Sequence, residues 1–407
     1  MVDKNLFLHD LAIVAILKCE GPYLKEWLNY HLLAGVNHFY LYDNDSPDNQ
    51  AEVAAPYVEA GLVDYIPAPG KKMQMAVYND AVKRFKFFCR YMAFVDGDEF
   101  ILPKSNRGVA EVVDEILSHT PNAAGLAINW QVFGSNGQEK ADYSRSVPQR
   151  FTRRAPSDWD VNKHIKTIAN PRRITLIDNP HSVQYFAGYD TINERGEIVS
   201  KPYSESVTVD KIAINHYYYM SREEFSKKAV RGDACTADGS KYSGNFDGHD
   251  HNDIYDDSIL SYRAARVENF SIERHEQKFS RVINALTKNL SLFANDTPPQ
   301  NSLETALTCR ALSTYLRKNF PDDADYWKIC EEASLAAVLQ SFDRINLADA
   351  RFLLHELPEL LSLPYPTVKE LRQAVCDLIQ KLMDGFHSIN DWKNFVEFDY
   401  IKDMLKI

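Results

Sequence analysis

The sharpest chemical feature of the sequence is Asp96-Gly97-Asp98, running on into Glu99-Phe100. Residues i and i+2 of an extended chain point to the same side, so both carboxylates can meet one hard divalent cation, Mg²⁺ or Mn²⁺. Gly97 between them lets neighbouring backbone approach closely. A cation held there would bridge a diphosphate and neutralise its charge as it leaves. A bare Asp-x-Asp is common and is also the composition of an acidic turn. This one closes an apolar strand that ends a series of alternating elements, which favours the chemical reading.

The elements that must position it are legible in the first 100 residues. Leu11 to Leu17 is a continuous apolar run of the kind found in a strand covered on both faces. Pro22 can open a helix in which Leu24, Trp27, Leu28 and Leu32 recur at helical spacing, with Gly35 as its stop. His38 to Tyr42 is a second strand, followed by the turn residues Asp43-Asn44-Asp45-Ser46-Pro47. A second helix to about Ala60, a strand from Leu62 to Ile66, a helix from Lys72 to Phe87 and a strand from Tyr91 to Val95 complete the series. Alternation of this kind predicts a mainly parallel sheet with helices on both faces. Ligands of such sheets sit beyond the carboxyl ends of the strands, here Lys18 to Glu20, Asp43 to Asp45 and Asp96 to Glu99.

The chain has 407 residues, with 46 Lys plus Arg against 57 Asp plus Glu and a net charge of -11. That length predicts two domains, and that charge argues against nucleic acid as a general partner. The six cysteines are scattered without a CxxC pair, so neither a zinc ribbon nor a disulfide framework is indicated. No apolar stretch approaches a membrane span and no basic n-region opens the chain, which makes a cytoplasmic location the default. A P-loop, a GxGxxG turn and a GxSxG elbow are all absent, so kinase, dinucleotide and hydrolase-elbow readings lose support. Residues 300–407 read as a small all-helical domain. Asn301 and Glu304 resemble a helix start, and Thr367 with Glu370 a capping box. Val368, Leu371, Val375, Leu378 and Leu382 form an apolar stripe behind that box. Asn295 to Asn301 is the expected linker, dividing the chain into 1–295 and 300–407. Arg145, Arg150, Arg153, Arg154, Lys163, Lys166, Arg172 and Arg173 form a basic stretch, with Lys163 and Lys166 placed best to approach phosphate. Trp130 and Trp159 could stack on a sugar ring or pack in the core. Residues 236–257 read as a polar loop.

The set Val14-Ala15-Ile16-Leu17-Lys18-Cys19-Glu20, Glu26-Trp27, Gly35-Val36-Asn37-His38-Phe39-Tyr40-Leu41-Tyr42-Asp43-Asn44 and Phe94-Val95-Asp96-Gly97-Asp98-Glu99-Phe100 resembles GT-A glycosyltransferases, and among them family 92. The resemblance covers roughly residues 10 to 270. Family members carry Lys-Asn-Glu after the first strand, where this chain has Lys18-Cys19-Glu20.

The resemblance implies a GT-A, Rossmann-like α/β fold with a mixed, mainly parallel sheet. It implies transfer of a hexose, galactose favoured, from a UDP-sugar to a glycan or glycolipid hydroxyl. By motif position Lys18, Glu20, Asp43, Gln74, Asn79, Asp96 and Lys163 would face the donor. Asp96, Asp98 and His216, the last delivered by the apolar strand Ile212 to Asn215, would hold Mn²⁺ or Mg²⁺. An inverting transfer also needs a carboxylate to take the acceptor proton. Asp233 is preferred over Asp247, Asp250 and Asp253 because it follows a helical stretch soon after His216. Peripheral contact with the inner face of the membrane, and oligomers through the helical domain, stay open. A metal-dependent nucleotidyl or phosphoryl transferase would use the same carboxylates, and a glycan-binding scaffold would use the helical tail.

Overall fold

The computed structural model describes residues 2–231, 246–268, 270–389 and 391–405. By contacts the chain divides into two compact units, His9–His275 and a second made of the first eight residues with Glu276–Ile407.

The larger unit is built on a nine-stranded sheet among the described residues. Its strands are β1 (His9–Leu17), β2 (His38–Asp43), β3 (Val63–Pro67), β4 (Cys89–Phe94), β5 (Glu99–Pro103), β6 (Ala123–Val132), β8 (Ile165–Ala169), β11 (Asp190–Ile192) and β12 (Ile212–His216). The order is β3-β2-β1-β4-β8-β6-β12-β5, with β11 beside the first half of β6. The pairs β3-β2, β2-β1, β1-β4 and β6-β12 are parallel, while β8 and β5 run antiparallel to their neighbours. This is the mixed, mainly parallel α/β sheet that the alternation predicts. β1, whose residues from Leu11 on are all buried, is the central strand expected of a nearly unbroken apolar run.

Helices α1 (Gly21–Leu33), α2 (Gln50–Glu59), α3 (Gln74–Phe85) and α4 (Val109–Ser118) connect these strands. Gly35 and Gly61 follow α1 and α2 with φ of +94° and +68°, the left-handed conformation in which glycine ends a helix. Short α5 (Val147–Arg150) and β7 (Arg153–Arg154) precede β8, and β9 (Ile174–Leu176) pairs with β10 (Gln184–Tyr185). After β12 come α6 (Arg222–Arg231), α7 (Phe246–His249), β13 (Ile254–Tyr255), which pairs with β7, and α8 (Ser258–Val267).

An edge strand leaves backbone groups without a ladder partner, and α1 supplies them for β5. Trp27 Nε1 donates to the Glu99 carbonyl at 2.9 Å, and the Tyr30 hydroxyl donates to the Ile101 carbonyl at 2.8 Å. His31 Nε2 accepts from the Ile101 N–H at 3.3 Å while Nδ1 lies 2.9 Å from the Trp27 carbonyl. Burial lowers the His31 pKa to about 3, so the ring is neutral and can accept. The helix stripe read as core thus also holds the strand that begins immediately after Asp98.

The second unit is helical: α9 (His275–Ala294), α10 (Ser302–Asn319), α11 (Ala324–Gln340), α12 (Leu347–Leu360), α13 (Thr367–Ser388) and α14 (Trp392–Leu405). The contact boundary at 275/276 assigns α9 to it, and the 295–301 segment is the turn between α9 and α10. Thr367 is the first residue of α13, with Pro366 at the cap position and no side-chain capping bond, so the expected capping box does not form. The buried row of α13 is Leu371, Val375, Ile379, Met383 and Phe386. Leu378 and Leu382 flank it half-buried, because the row advances mainly by four residues where the sequence reading alternated three and four. Among the described residues no helix is long and apolar enough to cross a membrane.

Candidate active site

The carboxyl ends of β1, β2, β4 and β12 share one edge of the sheet, and the acidic motif lies on it. β4 ends at Phe94, and the chain turns through Asp96-Gly97-Asp98 into antiparallel β5. Glu99 pairs in register with His216, the last residue of β12, and the Tyr217 N–H donates to the Asp98 carbonyl at 2.9 Å. β12 is started by Glu194, whose carboxylate accepts the N–H groups of Asp210, Lys211 and Ile212 at 2.7–3.1 Å. This register, invisible in local sequence, brings His216 Nε2 to 3.5 Å from Asp98 Oδ1.

Each aspartate meets its own lysine. Asp96 accepts from Lys166 Nζ at 2.8 Å and from Gln74 Nε2 at 2.9 Å, and its N–H donates to Glu99 Oε2 at 2.8 Å. Asp98 Oδ2 accepts from Lys228 Nζ. Burial pushes the Asp98 carboxyl up, but the Lys228 ammonium and His216 outweigh it and hold it well below the ordinary range. Asp96 is likewise lowered, burial being overcome mainly by Lys166. Glu99, fully buried behind them, is raised by burial, with the two aspartates adding to the rise against Lys166.

Burial lowers the His216 pKa against the opposing pull of Asp98, which favours the uncharged, ligand-competent imidazole. The His216 ring is set by aromatic packing, with Trp130 at 4.4 Å and Tyr218 at 5.4 Å between ring centroids, and its Nδ1 is buried without a hydrogen-bond partner among the described residues. Asp98 and His216 make a hard oxygen and nitrogen pair suited to Mn²⁺ or Mg²⁺. Among the described residues no three His, Cys, Asp or Glu side chains gather closely enough to hold an ion. The pair fits an ion whose remaining ligands are substrate phosphates and water, the usual arrangement for Mg²⁺ at phosphate sites.

The turn after β1 lies against the motif. A Cβ on Gly97 would stand 3.0 Å from Leu17 Cδ2 and 3.3 Å from Glu20 Cγ, so the close approach expected of this glycine is present. Cys19 adopts φ +55°, and the turn is fixed by the loop after β2. Cys19 N–H donates to Ser46 Oγ, Glu20 N–H to Gln50 Oε1 and Gly21 N–H to Asp48 Oδ2, at 2.9–3.0 Å. Asp43 Oδ1 accepts from Ser46 N–H at 3.1 Å and Gln50 Nε2 at 3.0 Å, organising that same loop. Glu20 is buried and paired with Arg231 at 2.7 Å, and Arg231 also donates to the Lys18 and Cys19 carbonyls.

Of the residues singled out from sequence, Lys18, Glu20, Asp43, Gln74, Asp96, Asp98 and His216 fall on this edge. The Asn79 amide is engaged by scaffold: it donates to the Ile177 carbonyl at 2.6 Å and accepts the Ile177 N–H at 2.9 Å, pinning the segment after β9. Lys163 pairs with Asp160 at 2.7 Å, whereas Lys166, three residues on, is the lysine placed at the acids. Asp233 lies outside the described residues. The rest of the basic stretch is largely structural. Arg150 is buried against Glu224, Arg154 pairs with Asp256, and Arg172 donates to backbone carbonyls of Lys86 and Cys89. Asp250 accepts from the Ser135 N–H and hydroxyl, both at 2.6 Å, which ties its loop down beside β6.

Sequence reasoning missed Lys228 and Arg231. They lie three apart on α6, on the side of the helix facing the site, and α6 is anchored at its start. Ser221-Arg222-Glu223-Glu224 is a capping box: Glu224 Oε2 accepts the Ser221 N–H at 3.1 Å, and the Glu224 N–H donates to Ser221 Oγ at 3.3 Å. Glu224 also takes both Arg150 amino groups at 2.8–2.9 Å and the Tyr23 hydroxyl at 2.9 Å. That S-x-x-E pattern was available in the sequence.

A Rossmann-like mixed sheet that presents Asp-Gly-Asp, a strand-end His and opposing cations at its carboxyl edge has the GT-A arrangement. Residues 21–257 match the family model of glycosyltransferase family 92, and the chain belongs to that family. A family 92 protein of Ricinus communis is 26% identical over 227 residues, covering 55% of this chain and 38% of that protein. The galactan beta-1,4-galactosyltransferase GALS2 of Arabidopsis thaliana is 28% identical over 222 residues, covering 49% and 40%. The chain therefore spans well under half the length of these curated relatives. Among solved structures, Staphylococcus aureus TarS (1–349) matches 80% of this chain and 90% of its own, with 19% identity and a TM-score of 0.29.

Proposed function

We propose that this chain is a metal-dependent, inverting glycosyltransferase that moves a hexose, galactose favoured, from a UDP-sugar to a glycan hydroxyl of a polysaccharide or glycolipid. The observation that carries the reading is the pairing of Asp98 with His216 at the sheet edge of a family 92 chain. The name of the Arabidopsis relative supports galactose as the first donor to try.

In this reading Asp98 and His216 hold Mn²⁺ or Mg²⁺, with Asp96 beside them. Such an ion, when bound, supplies charge neutralisation of the departing diphosphate. Lys166 keeps Asp96 ionised and fixed, and Gln74 orients its other oxygen. Lys18, Glu20 and Asp43 line the adjoining edge, where we place the nucleotide. Asp233 is our candidate for the group that takes the acceptor proton, opposite the leaving diphosphate.

The test is release of UDP from a panel of UDP-sugars with Mn²⁺, with and without β-1,4-galactan oligosaccharides, in the parent and in Asp96→Asn/Asp98→Asn. Turnover of one donor, enhanced by acceptor and lost in the double variant, supports the proposal. Pyrophosphate release would move the reaction to nucleotidyl transfer. No turnover and no metal-dependent binding of any nucleotide sugar would remove the carboxylate assignment.

A further inference from the structure

Helix α6 brings two cations to the site, and each already neutralises one of its acids. The Lys228 ammonium lies on Asp98 Oδ2, whose other oxygen faces His216. The Arg231 guanidinium lies on Glu20. Both aspartate oxygens are thus engaged, and the carboxylate is almost fully buried, at 9% side-chain exposure. A divalent cation and an ammonium cannot share one buried carboxylate oxygen, because they repel at close range in a weakly screening site. An ion that binds Asp98 competes with Lys228 for that carboxylate, either by taking Oδ2 itself or by bringing a second cation onto Oδ1, beside His216 and close to the ammonium.

Lys228 has somewhere to go. Its ammonium already lies 4.5 Å from the centre of the Tyr218 ring and 3.3 Å from the Tyr218 carbonyl, and its side chain is 13% exposed. The helix need not move with it, because Glu224 locks the first turn of α6 onto Arg150, Tyr23 and Ser221. Around Asp98 the acids Glu20, Asp96 and Glu99, of which Glu20 and Glu99 are raised by burial, stand against Lys166, Lys228 and Arg231, with Lys18 and Asp43 on the adjoining edge. A diphosphate entering there would meet Lys166, Lys228 and Arg231 already paired with carboxylates. An ion on Asp98 changes this by setting one ammonium free beside the phosphates.

We propose that Lys228 is an exchangeable counter-cation, which neutralises Asp98 until a divalent ion takes that carboxylate and then turns to the diphosphate of the donor. The inference rests on the metal-dependent reading above and adds a specific consequence to it. Lys228 opposes metal binding in the absence of nucleotide and supports nucleotide binding in the presence of metal. A purely structural lysine would do neither.

The experiment measures Mn²⁺ binding by electron paramagnetic resonance on the full chain, with and without UDP, in the parent, K228Q, K228M and K228R. Without UDP, K228Q and K228M should bind Mn²⁺ about tenfold more tightly, the scale of one charge-assisted hydrogen bond removed from competition. With saturating Mn²⁺, both should bind UDP about tenfold more weakly, while K228R, which keeps the charge, stays near the parent in both assays. Unchanged or weakened Mn²⁺ affinity in a folded K228Q or K228M, with the parent binding Mn²⁺, overturns the role of Lys228 alone. A parent chain that binds no Mn²⁺ even with UDP overturns the metal reading as well.

Discussion

The anchoring of α6 makes a quantitative prediction. Arg150 and Glu224 have side-chain exposures of 1% and 2%, and the pair is bidentate at 2.8 and 2.9 Å. Glu224→Gln leaves a buried guanidinium without its counter-charge, and Arg150→Met leaves a buried carboxylate. Breaking a buried pair from one side costs about 3–5 kcal/mol. Removing both charges together avoids that penalty and loses mainly the hydrogen bonds of Tyr23 and Ser221 to the carboxylate, about 1 kcal/mol each. The double variant Arg150→Met/Glu224→Gln should therefore be less destabilised than the sum of the singles by at least about 2 kcal/mol. The assay is denaturant unfolding of the full chain, run as a double-mutant cycle alongside UDP affinity. Both singles should also weaken UDP binding, because α6 carries Lys228 and Arg231 to the site. Single losses under about 1 kcal/mol that simply add would refute the view of this pair as a buried, mutually dependent anchor.

Other outcomes follow from named contacts. Burial raises the Glu224 carboxyl, but Arg150 and Ser221 outweigh it and hold it below its ordinary value of 4.5. Its contribution to stability is thus full above about that pH and lost as the pH falls through the lower folded value, so Glu224→Gln should flatten the acid limb of a stability–pH profile. Gly97→Ala should cost about 1–3 kcal/mol and weaken UDP binding, because the new methyl meets Leu17 Cδ2 at 3.0 Å. Asn79→Ala should lower the melting temperature, through loss of two hydrogen bonds to Ile177 worth about 1 kcal/mol each, yet leave UDP affinity within about twofold. A large loss of UDP affinity in that variant would restore Asn79 to the donor site.

The first half of the sheet was legible because each strand and helix carries its own period and its own stop, as at Gly35 and Gly61. The position of Asp96-Gly97-Asp98 on the ligand edge followed from that alternation alone. What joins His216 to Asp98 is a strand register, Glu99 opposite His216, and nothing within either segment encodes it. Lys228 and Arg231 sit on a helix so polar that it reads as a solvated face, and they act on residues 130 and about 210 positions earlier in the chain. Asn79 and Lys163 show the opposite ambiguity: their residue types suit a donor site, yet each also has a local partner, at Ile177 and Asp160, that no pattern in the sequence announces. Polar residues on amphipathic elements therefore need the tertiary fold before they can be sorted into site and scaffold.

The central claim is that Asp98, with His216, joins a divalent ion to the nucleotide. Equilibrium binding of UDP with and without Mn²⁺, in the parent and in Asp98→Asn, tests it most directly. The account predicts that Mn²⁺ tightens UDP binding to the parent by about tenfold or more and that Asp98→Asn abolishes the enhancement while the chain stays folded. Equal enhancement in both proteins, or none in the parent, would contradict it.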